Sequence, residues 1–320
     1  MVNRKLQLLT SSRLATLRTC PRKHYYRYEL GLSRVRSAEA LRFGGAYHAG
    51  LEAHNRGADD ATAMARATAG YEQVPQWADP VEWAVQRQTL RQLLAGHFWR
   101  YSNDDLQVVA VEQVFQTPLI NPGSGHASRI FLLAGKIDAI VKLPDGRLAV
   151  LEYKTAGEDI ATDSNYWLRL RCDGQISQYV LGARALGFDV STVIYDVTRK
   201  PTIRLRKDET PQQYGQRLLG DIGQRPDCYF ARREVPRLED ELAEYRLELW
   251  QQAAQLRHAQ RADRWFRNVG RMTCPYCPYA DLCLNCMHVK VDAPPVGYEI
   301  LSDVHPELQT GGEASQGDCL

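Results

Sequence analysis

No stretch of the chain approaches the roughly 20 consecutive apolar residues of a membrane-spanning helix. Hydrophobic residues still make up 44% of its 320 residues, ample for a buried core. A helical membrane protein is thereby excluded. The opening residues, Met1 to Leu9, are too short and too mixed for an export signal. The expected location is therefore the cytoplasm, or the host cytoplasm were the chain phage-encoded. There is no internal repeat. There is also no Gly-x4-Gly-Lys-Ser/Thr loop, so the chain carries no ATP-driven motor of its own. Charge of either sign is nearly balanced, at +2 overall.

The distribution of charge says more than its sum. Residues 1–50 hold ten Lys or Arg against two Glu, whereas residues 291–320 hold six Asp or Glu and no Lys or Arg. A basic head suits a polyanion; the plainer alternative is a solvated surface. The acidic end, with Pro294-Pro295 and Gly311-Gly312, reads as a loose tail. The expected organisation is one domain over 1–290, followed by this tail at 291–320.

Apolar periodicity places helices at 11–30 (disturbed by Pro21), 43–56 and 81–100. In the third, Leu90, Leu93, Leu94, His97 and Phe98 share one face, and His97 reads as a core or flanking histidine rather than a ligand. Runs rich in Val, Ile, Leu and Phe at 107–117, 130–143 and 147–154 read as strands. Residues 120–128 form a loop that carries an exposed His126. A helix at 172–187 and a strand at 190–198 follow, with a further strand at 202–206, then helices at 209–223 and 237–265. This order predicts an α/β fold, a small mixed central β-sheet flanked by helices.

The most informative stretch is Gly135 to Thr155. Two strands flank Leu143-Pro144-Asp145-Gly146-Arg147. Pro then Asp suits the centre of a type I turn, and Gly146 the left-handed residue of a bulged hairpin loop. That loop pairs residue 143 with 147, which puts Asp138 opposite Glu152 and Lys154 on the same face one step along. Like charges placed opposite each other destabilise a hairpin. A divalent cation between them would remove the conflict, and hard oxygen ligands suit Mg2+ or Mn2+. Lys154 would add a positive group able to hold an attacking water or steady a charged transition state. The plainer alternative is a solvated charge ladder; a charge trio on strands made as apolar as these by Ala139, Ile140, Val150 and Leu151 more often marks a site. Upstream, Phe43 to Glu52 carries His48 and Glu52 one helical turn apart, among glycines that allow close packing. Glu112 is a further acidic candidate.

Four of the eight cysteines, Cys274, Cys277, Cys283 and Cys286, fall within thirteen residues. In a chain expected in the cytoplasm such clustering reads as metal binding rather than disulfides. Cys274-x2-Cys277 with Cys283-x2-Cys286 makes a local set that would suit Zn2+. Cys172, Cys228 and Cys319 read as ordinary thiols. Arg22, Lys23, Tyr25, Tyr26, Arg27 and Tyr28 alternate aromatic and basic, a pattern fit either to stack and hold single-stranded DNA or to pack beside the cysteines.

Taken together these pieces resemble the PD-(D/E)XK nuclease superfamily, in particular the branch of RecB and AddB nuclease domains and CRISPR-associated iron–sulfur exonucleases. The resemblance spans roughly 8–285. Ser12-Arg13-Leu14 through Cys20-Pro21-Arg22-Lys23-His24-Tyr25-Tyr26 looks like that branch's opening helix and first cluster cysteine. Gly44 to Glu52 is similar to its metal-binding histidine motif, and Gly135-Lys136-Ile137-Asp138 to its first acidic motif. Glu152-Tyr153-Lys154-Thr155 corresponds to (D/E)XK, with Glu where Asp is commoner, and Gln175-Ile176-Ser177-Gln178-Tyr179 to the Gln-xxx-Tyr motif. The resemblance implies a restriction-endonuclease-like core beside a helical, cysteine-rich region. His48, Asp138, Glu152 and the Tyr153 main chain would bind Mg2+ or Mn2+. Asp138, Glu152 and Lys154 would be catalytic, and Gln175, Tyr179, Arg22 and Lys23 would contact DNA. Cys20 with Cys274, Cys277 and Cys283 would hold a [4Fe-4S] cluster that ties the two chain ends together.

The activity implied is metal-dependent hydrolysis of DNA, by an exonuclease acting on ends or single strands in repair, recombination or phage DNA metabolism. Unwinding would need a separate helicase or recombination protein. Two other readings stand: a non-catalytic nucleic-acid-binding protein that keeps the fold, or a zinc-binding protein whose nuclease-like motifs are coincidental.

Overall fold

In the computed structural model, which describes residues 6–287 and 289–309, the chain opens with strand β1 (Gln7–Leu9) and helices α1 (Ser11–Thr19) and α2 (Pro21–His24). The Thr10 hydroxyl caps α1 by accepting from the Arg13 N–H, satisfying one orphan donor of the first turn. Cys20 is extended between the two helices, and Pro21 starts α2 where its missing N–H is no loss. A single helix over 11–30 is thus broken at Cys20. A π-helical turn, Tyr25–Glu29, leads to β2 (Leu32–Arg34).

Helices α3 (Glu39–Asn55), α4 (Asp60–Thr68) and α5 (Pro80–Arg100) follow, then β3 (Gln107–Ile120), β4 (Ala127–Lys142) and β5 (Leu148–Ala156). Next come α6 (Asn165–Leu170), α7 (Gly174–Ala185), β6 (Val190–Arg199), α8 (Pro211–Gln224) and β7 (Phe230–Pro236). The chain ends with α9 (Glu239–Ala262), α10 (Ala280–Leu284) and β8 (Tyr298–Ile300).

The residues group into two units, and β3 and β4 contribute to both. One unit, Ala38–Gln113 and Ile137–Arg237, is a mixed sheet flanked by helices. The end of β4 pairs antiparallel with β5, β5 parallel with β6, and β6 antiparallel with β7. Phe43, Tyr47 and Leu51 of α3, Leu90, Leu93, Leu94 and Phe98 of α5, and Leu218 and Ile222 of α8 bury against Leu151 and Tyr153 of β5. The close approach on α3 occurs at Gly50, where a Cβ would meet Leu94 Cδ1 at 2.9 Å and Ala67 Cβ at 3.0 Å. Gly44 and Gly45 have ordinary or open surroundings.

The strand expected at 202–206 does not form. Ile203 and Leu205 instead pack singly against this core from an irregular segment, which explains their alternation. Strand β7 was not foreseen: it carries Arg232, Arg233 and Glu234 and pairs with β6 alone, so its sequence lacks the apolar density of a central strand. Below the sheet, His97 Nε2 lies 3.0 Å from Asp196 Oδ2, which also accepts from Arg232 Nη2 at 2.6 Å. Arg232 reaches on to Asp104 and lies 3.8 Å over the Tyr101 ring. Burial would raise the Asp196 carboxyl, but His97 and Arg232 outweigh it and hold it below its usual range.

The second unit comprises the described residues of Met1–Ser37, Val114–Lys136 and Leu238–Leu320. Here β1 pairs parallel with β4 through Gln7–Phe131, Leu8–Leu132 and Leu9–Leu133. Within 291–309 of the acidic end, Tyr298–Ile300 pairs antiparallel with Leu32–Arg34. Residues 310–320 of that end, with Cys319, lie outside the described residues. No helix among the described residues is long and apolar enough to cross a membrane.

His24 is fully buried in this unit. Its Nε2 accepts from Arg13 Nε at 3.1 Å, while Glu29 Oε1 lies 3.9 Å from Nδ1, too far for a hydrogen bond. Burial first, then the charges of Arg13 and His305, push the imidazole down to about 3. The folded protein therefore holds His24 neutral where the unfolded chain would protonate it. This contribution is complete above about pH 6.5 and is lost as pH falls towards about 3. Urea midpoints should fall across that window, and a His24→Gln variant should show a smaller fall.

Candidate active site

The hairpin register is the one the turn dictates. Leu143 N–H donates to Arg147 O at 2.8 Å, Gly146 takes a φ of 89°, and the ladder runs Lys142–Leu148, Val141–Ala149, Ile140–Val150 and Ala139–Leu151. One further step puts Asp138 opposite Glu152. There the ladder gives way to the side chain, and the Tyr153 N–H donates to Asp138 Oδ2 at 3.0 Å. Tyr153 turns its ring to the opposite, core face, where its hydroxyl meets Asn55 at 3.1 Å.

Helix α3 brings His48 to the same carboxylate, with Nδ1 3.3 Å from Asp138 Oδ1. Burial would lower this imidazole, but the charge and hydrogen bond of Asp138, with the Glu152 charge, hold it above its ordinary range. Asp138 answers in kind. Burial raises it, yet His48, the Tyr153 N–H and Lys154 bring it below the usual carboxylate range. Glu52 is one turn from His48 but faces Arg56 Nε at 3.0 Å, so the two do not act together here.

Glu152 is buried, at 2% exposure. Its Oε1 takes the Lys154 ammonium and the Gln175 amide, the latter at 3.2 Å. Its Oε2 is buried with no hydrogen-bond partner. Burial raises the Glu152 carboxyl against the pull of Lys154, and the Asp138 charge raises it further. The Lys154 ammonium is lowered by burial but raised more by Glu152 and Asp138, so it stays charged. Gln175 also donates to the Tyr179 hydroxyl at 2.8 Å. It stands at the start of α7, where the Asp173 side chain accepts from its N–H at 2.8 Å and fixes the helix end. The site therefore gathers His48, Asp138, Glu152, Lys154, Gln175 and Tyr179 within one unit.

A buried carboxylate oxygen without a donor is costly. A cation at Glu152 Oε2 and the Asp138 carboxylate would satisfy it, so this donor set of carboxylates and imidazole fits a hard divalent metal. As they stand, among the described residues, no three His, Cys, Asp or Glu side chains are gathered closely enough to hold an ion.

Sequence reasoning missed Tyr195. Strand β6 pairs it with Glu152 in parallel register, so it shares the Glu152 face. It is 1% exposed, its hydroxyl has no hydrogen-bond partner, and burial with the Glu152 charge raises its pKa. Only the β5–β6 register, which no turn motif announces, would have revealed it. Removing an unpartnered buried hydroxyl should cost nothing. Tyr195→Phe should leave the thermal midpoint unchanged or raise it, a point that calorimetry decides.

Arg22 and Lys23 lie in the other unit, near the cysteines. The Arg22 guanidinium is 5.8 Å from the Tyr25 ring. Tyr26 is buried with Leu32, Tyr279 and Leu282, beside Cys277 and Cys283, so this ring packs the cysteine region. Cys20 Sγ accepts from the Asn268 N–H at 3.4 Å, and Cys283 Sγ from Arg267 Nε at 3.3 Å. Burial raises the Cys277 thiol, with Cys20 and Cys283 near enough to add to it. Cys286 is exposed, in a left-handed conformation, with its Sγ 3.7 Å from Arg267 Nη2. Cys172 and Cys228 are exposed free thiols.

Comparison with known proteins assigns the chain. The family model of the PD-(D/E)XK nuclease superfamily matches residues 8–284, and the chain belongs to that superfamily. No curated protein matches the sequence significantly. Among solved structures, the chain is similar to SSO0001, with 14% identity, 89% of each chain covered and a TM-score of 0.38. It is also similar to a presumed exonuclease from Eubacterium rectale, with 10% identity, 90% of each chain covered and a TM-score of 0.46.

Proposed function

We propose that the chain is a metal-dependent nuclease that hydrolyses phosphodiester bonds of DNA. The observation that carries this is the pairing of the buried Glu152 with the half-buried Asp138, held beside a charged Lys154, with one Glu152 oxygen left without a donor. A residue set this costly to bury is out of place in a purely structural sheet. His48, Asp138, Glu152 and the Tyr153 carbonyl would hold Mg2+ or Mn2+. When bound, such an ion polarises the scissile phosphate and lowers the pKa of a coordinated water.

The chain's own residues do the rest. Lys154 presents a positive charge where the attacking water and the developing phosphate charge meet. Gln175 holds Glu152 in place and, with Tyr179, flanks the approach of the substrate backbone. Asp138 is kept ionised by His48 and the Tyr153 N–H. Contacts of this kind grip the phosphate backbone without reading bases, which suits digestion from ends or of single strands. End-labelled single- and double-stranded DNA incubated with Mn2+ should be degraded, and the same mixture with excess chelator should not. Intact DNA in both would overturn the reading.

The cysteines support a second assignment. Cys20, Cys274, Cys277 and Cys283 would hold an iron–sulfur cluster as a staple rather than a redox centre. The N–H donors on Cys20 and Cys283 are what thiolate ligands need. Protein purified without air should be yellow-brown and carry iron. Colourless protein carrying zinc would assign the site to Cys274, Cys277, Cys283 and Cys286 instead.

A further inference from the structure

Two pockets adjoin in the unit that contains α9, of about 320 and 330 Å³. Ile130 and Arg257 line both. The first also takes in Arg129, Tyr25 and Trp265, whose rings lie 5.6 Å apart at 33°. The second adds Trp250 and Arg261. Each is near the low end of the roughly 300–1,000 Å³ of small-ligand clefts, room for about one nucleotide.

The charges here are unbalanced in a telling way. Arg257 and Arg261 are one turn apart on α9, a like-charge spacing that weakens a helix. Neither their side chains nor that of Arg129 make a hydrogen bond or ion pair among the described residues. Of the two acids at the first pocket, Glu29 is paired with Arg13 at 3.1 Å, which leaves only Asp263. The two pockets together thus carry three unpartnered guanidinium groups, Arg257 half-buried and Arg129 and Arg261 exposed, against one free carboxylate, beside half-buried aromatic rings at Tyr25 and Trp250. Guanidinium forks match phosphate oxygens, and exposed ring faces accept bases of any sequence.

We propose that these two pockets form a track for successive nucleotides of a single-stranded nucleic acid, with phosphates on Arg129, Arg257 and Arg261 and bases against Tyr25 and Trp250. The proposal rests on reading the chain as a nucleic-acid enzyme, but its test needs no catalysis.

The test is fluorescence anisotropy of a labelled short oligothymidylate titrated with protein in excess chelator, at several salt concentrations. Arg257→Glu combined with Arg261→Glu should weaken binding at least about tenfold and flatten the log-affinity against log-salt slope by roughly 0.7 for each lost phosphate contact. Arg129→Glu should do the same more weakly, and Trp250→Ala should weaken binding about tenfold with the slope kept. Arg66→Glu on α4 is the control and should change nothing. Oligouridylate should behave as oligothymidylate does, and free thymidine monophosphate should compete poorly. An unchanged affinity and salt slope in both the double variant and Arg129→Glu would overturn the proposal, as would tight binding of the free mononucleotide alone. Should the protein bind the oligonucleotide through these arginines yet cut nothing, the nuclease reading falls and the track stands. Cleavage with binding indifferent to them gives the reverse.

Discussion

Lys154→Met is expected to cut the rate of DNA degradation by about 10²–10³-fold, the usual loss when a donor aimed at developing charge is removed. Methionine keeps the length and the apolar stem, so packing around β5 changes little. Two effects combine in the loss. The ammonium beside the scissile phosphate disappears, and Glu152 loses the cation that its burial demands. Without it the carboxyl rises further and takes a proton, leaving one charged acid where two are needed. The drop should therefore appear in kcat at saturating DNA, with affinity for DNA in chelator unchanged. A variant retaining more than about half of the wild-type rate would place the chemistry elsewhere.

The largest stability effect is expected away from the site. Asp196 is 1% exposed and accepts from both His97 and Arg232. Arg232→Met removes one partner and strands a buried carboxylate, which typically costs about 3–5 kcal/mol. The loss should follow pH in a definite sense. Asp196 is held below its usual range in the wild type, so its contribution is present above about pH 4 and disappears as pH falls through the folded value. The gap between wild type and variant should then narrow in acid. Arg147, whose side chain is 49% exposed and pairs with Glu234 and Asp145, supplies the contrast. Arg147→Met, at a solvated pair, should leave the urea midpoint almost unchanged. Urea unfolding of the two variants at neutral and acid pH checks both statements.

The contrast between these two residues explains what could be read in advance. Local rules fixed the hairpin. Pro144, Asp145 and Gly146 determine a turn, the turn determines a register, and the register places Asp138 opposite Glu152 without further information. His48 and the Gln175–Tyr179 pair sit at helical spacing, so their motifs also survive in one dimension. His97 was expected in the core and is there, yet its partner Asp196 is 99 residues away, and no local pattern links them. Tyr195 is hidden for the same reason, since a parallel pairing across a helical crossover leaves no spacing signal. The extra strand β7 escaped notice because an edge strand tolerates charged residues, here the Arg232 that Asp196 requires and the Glu234 that pairs with Arg147. The 202–206 segment misled in the opposite direction, its alternation being real burial without a sheet partner.

The central claim is that Asp138, Glu152 and His48 serve one divalent cation. Direct titration of the protein with Mn2+, followed by the electron paramagnetic resonance of the free ion, tests it without any substrate. Beyond any ion held by the cysteines, wild type should take up one Mn2+ per chain, and Asp138→Ala combined with Glu152→Ala should take up none. Uptake by the double alanine variant equal to that of wild type, or no uptake by wild type, would contradict the account.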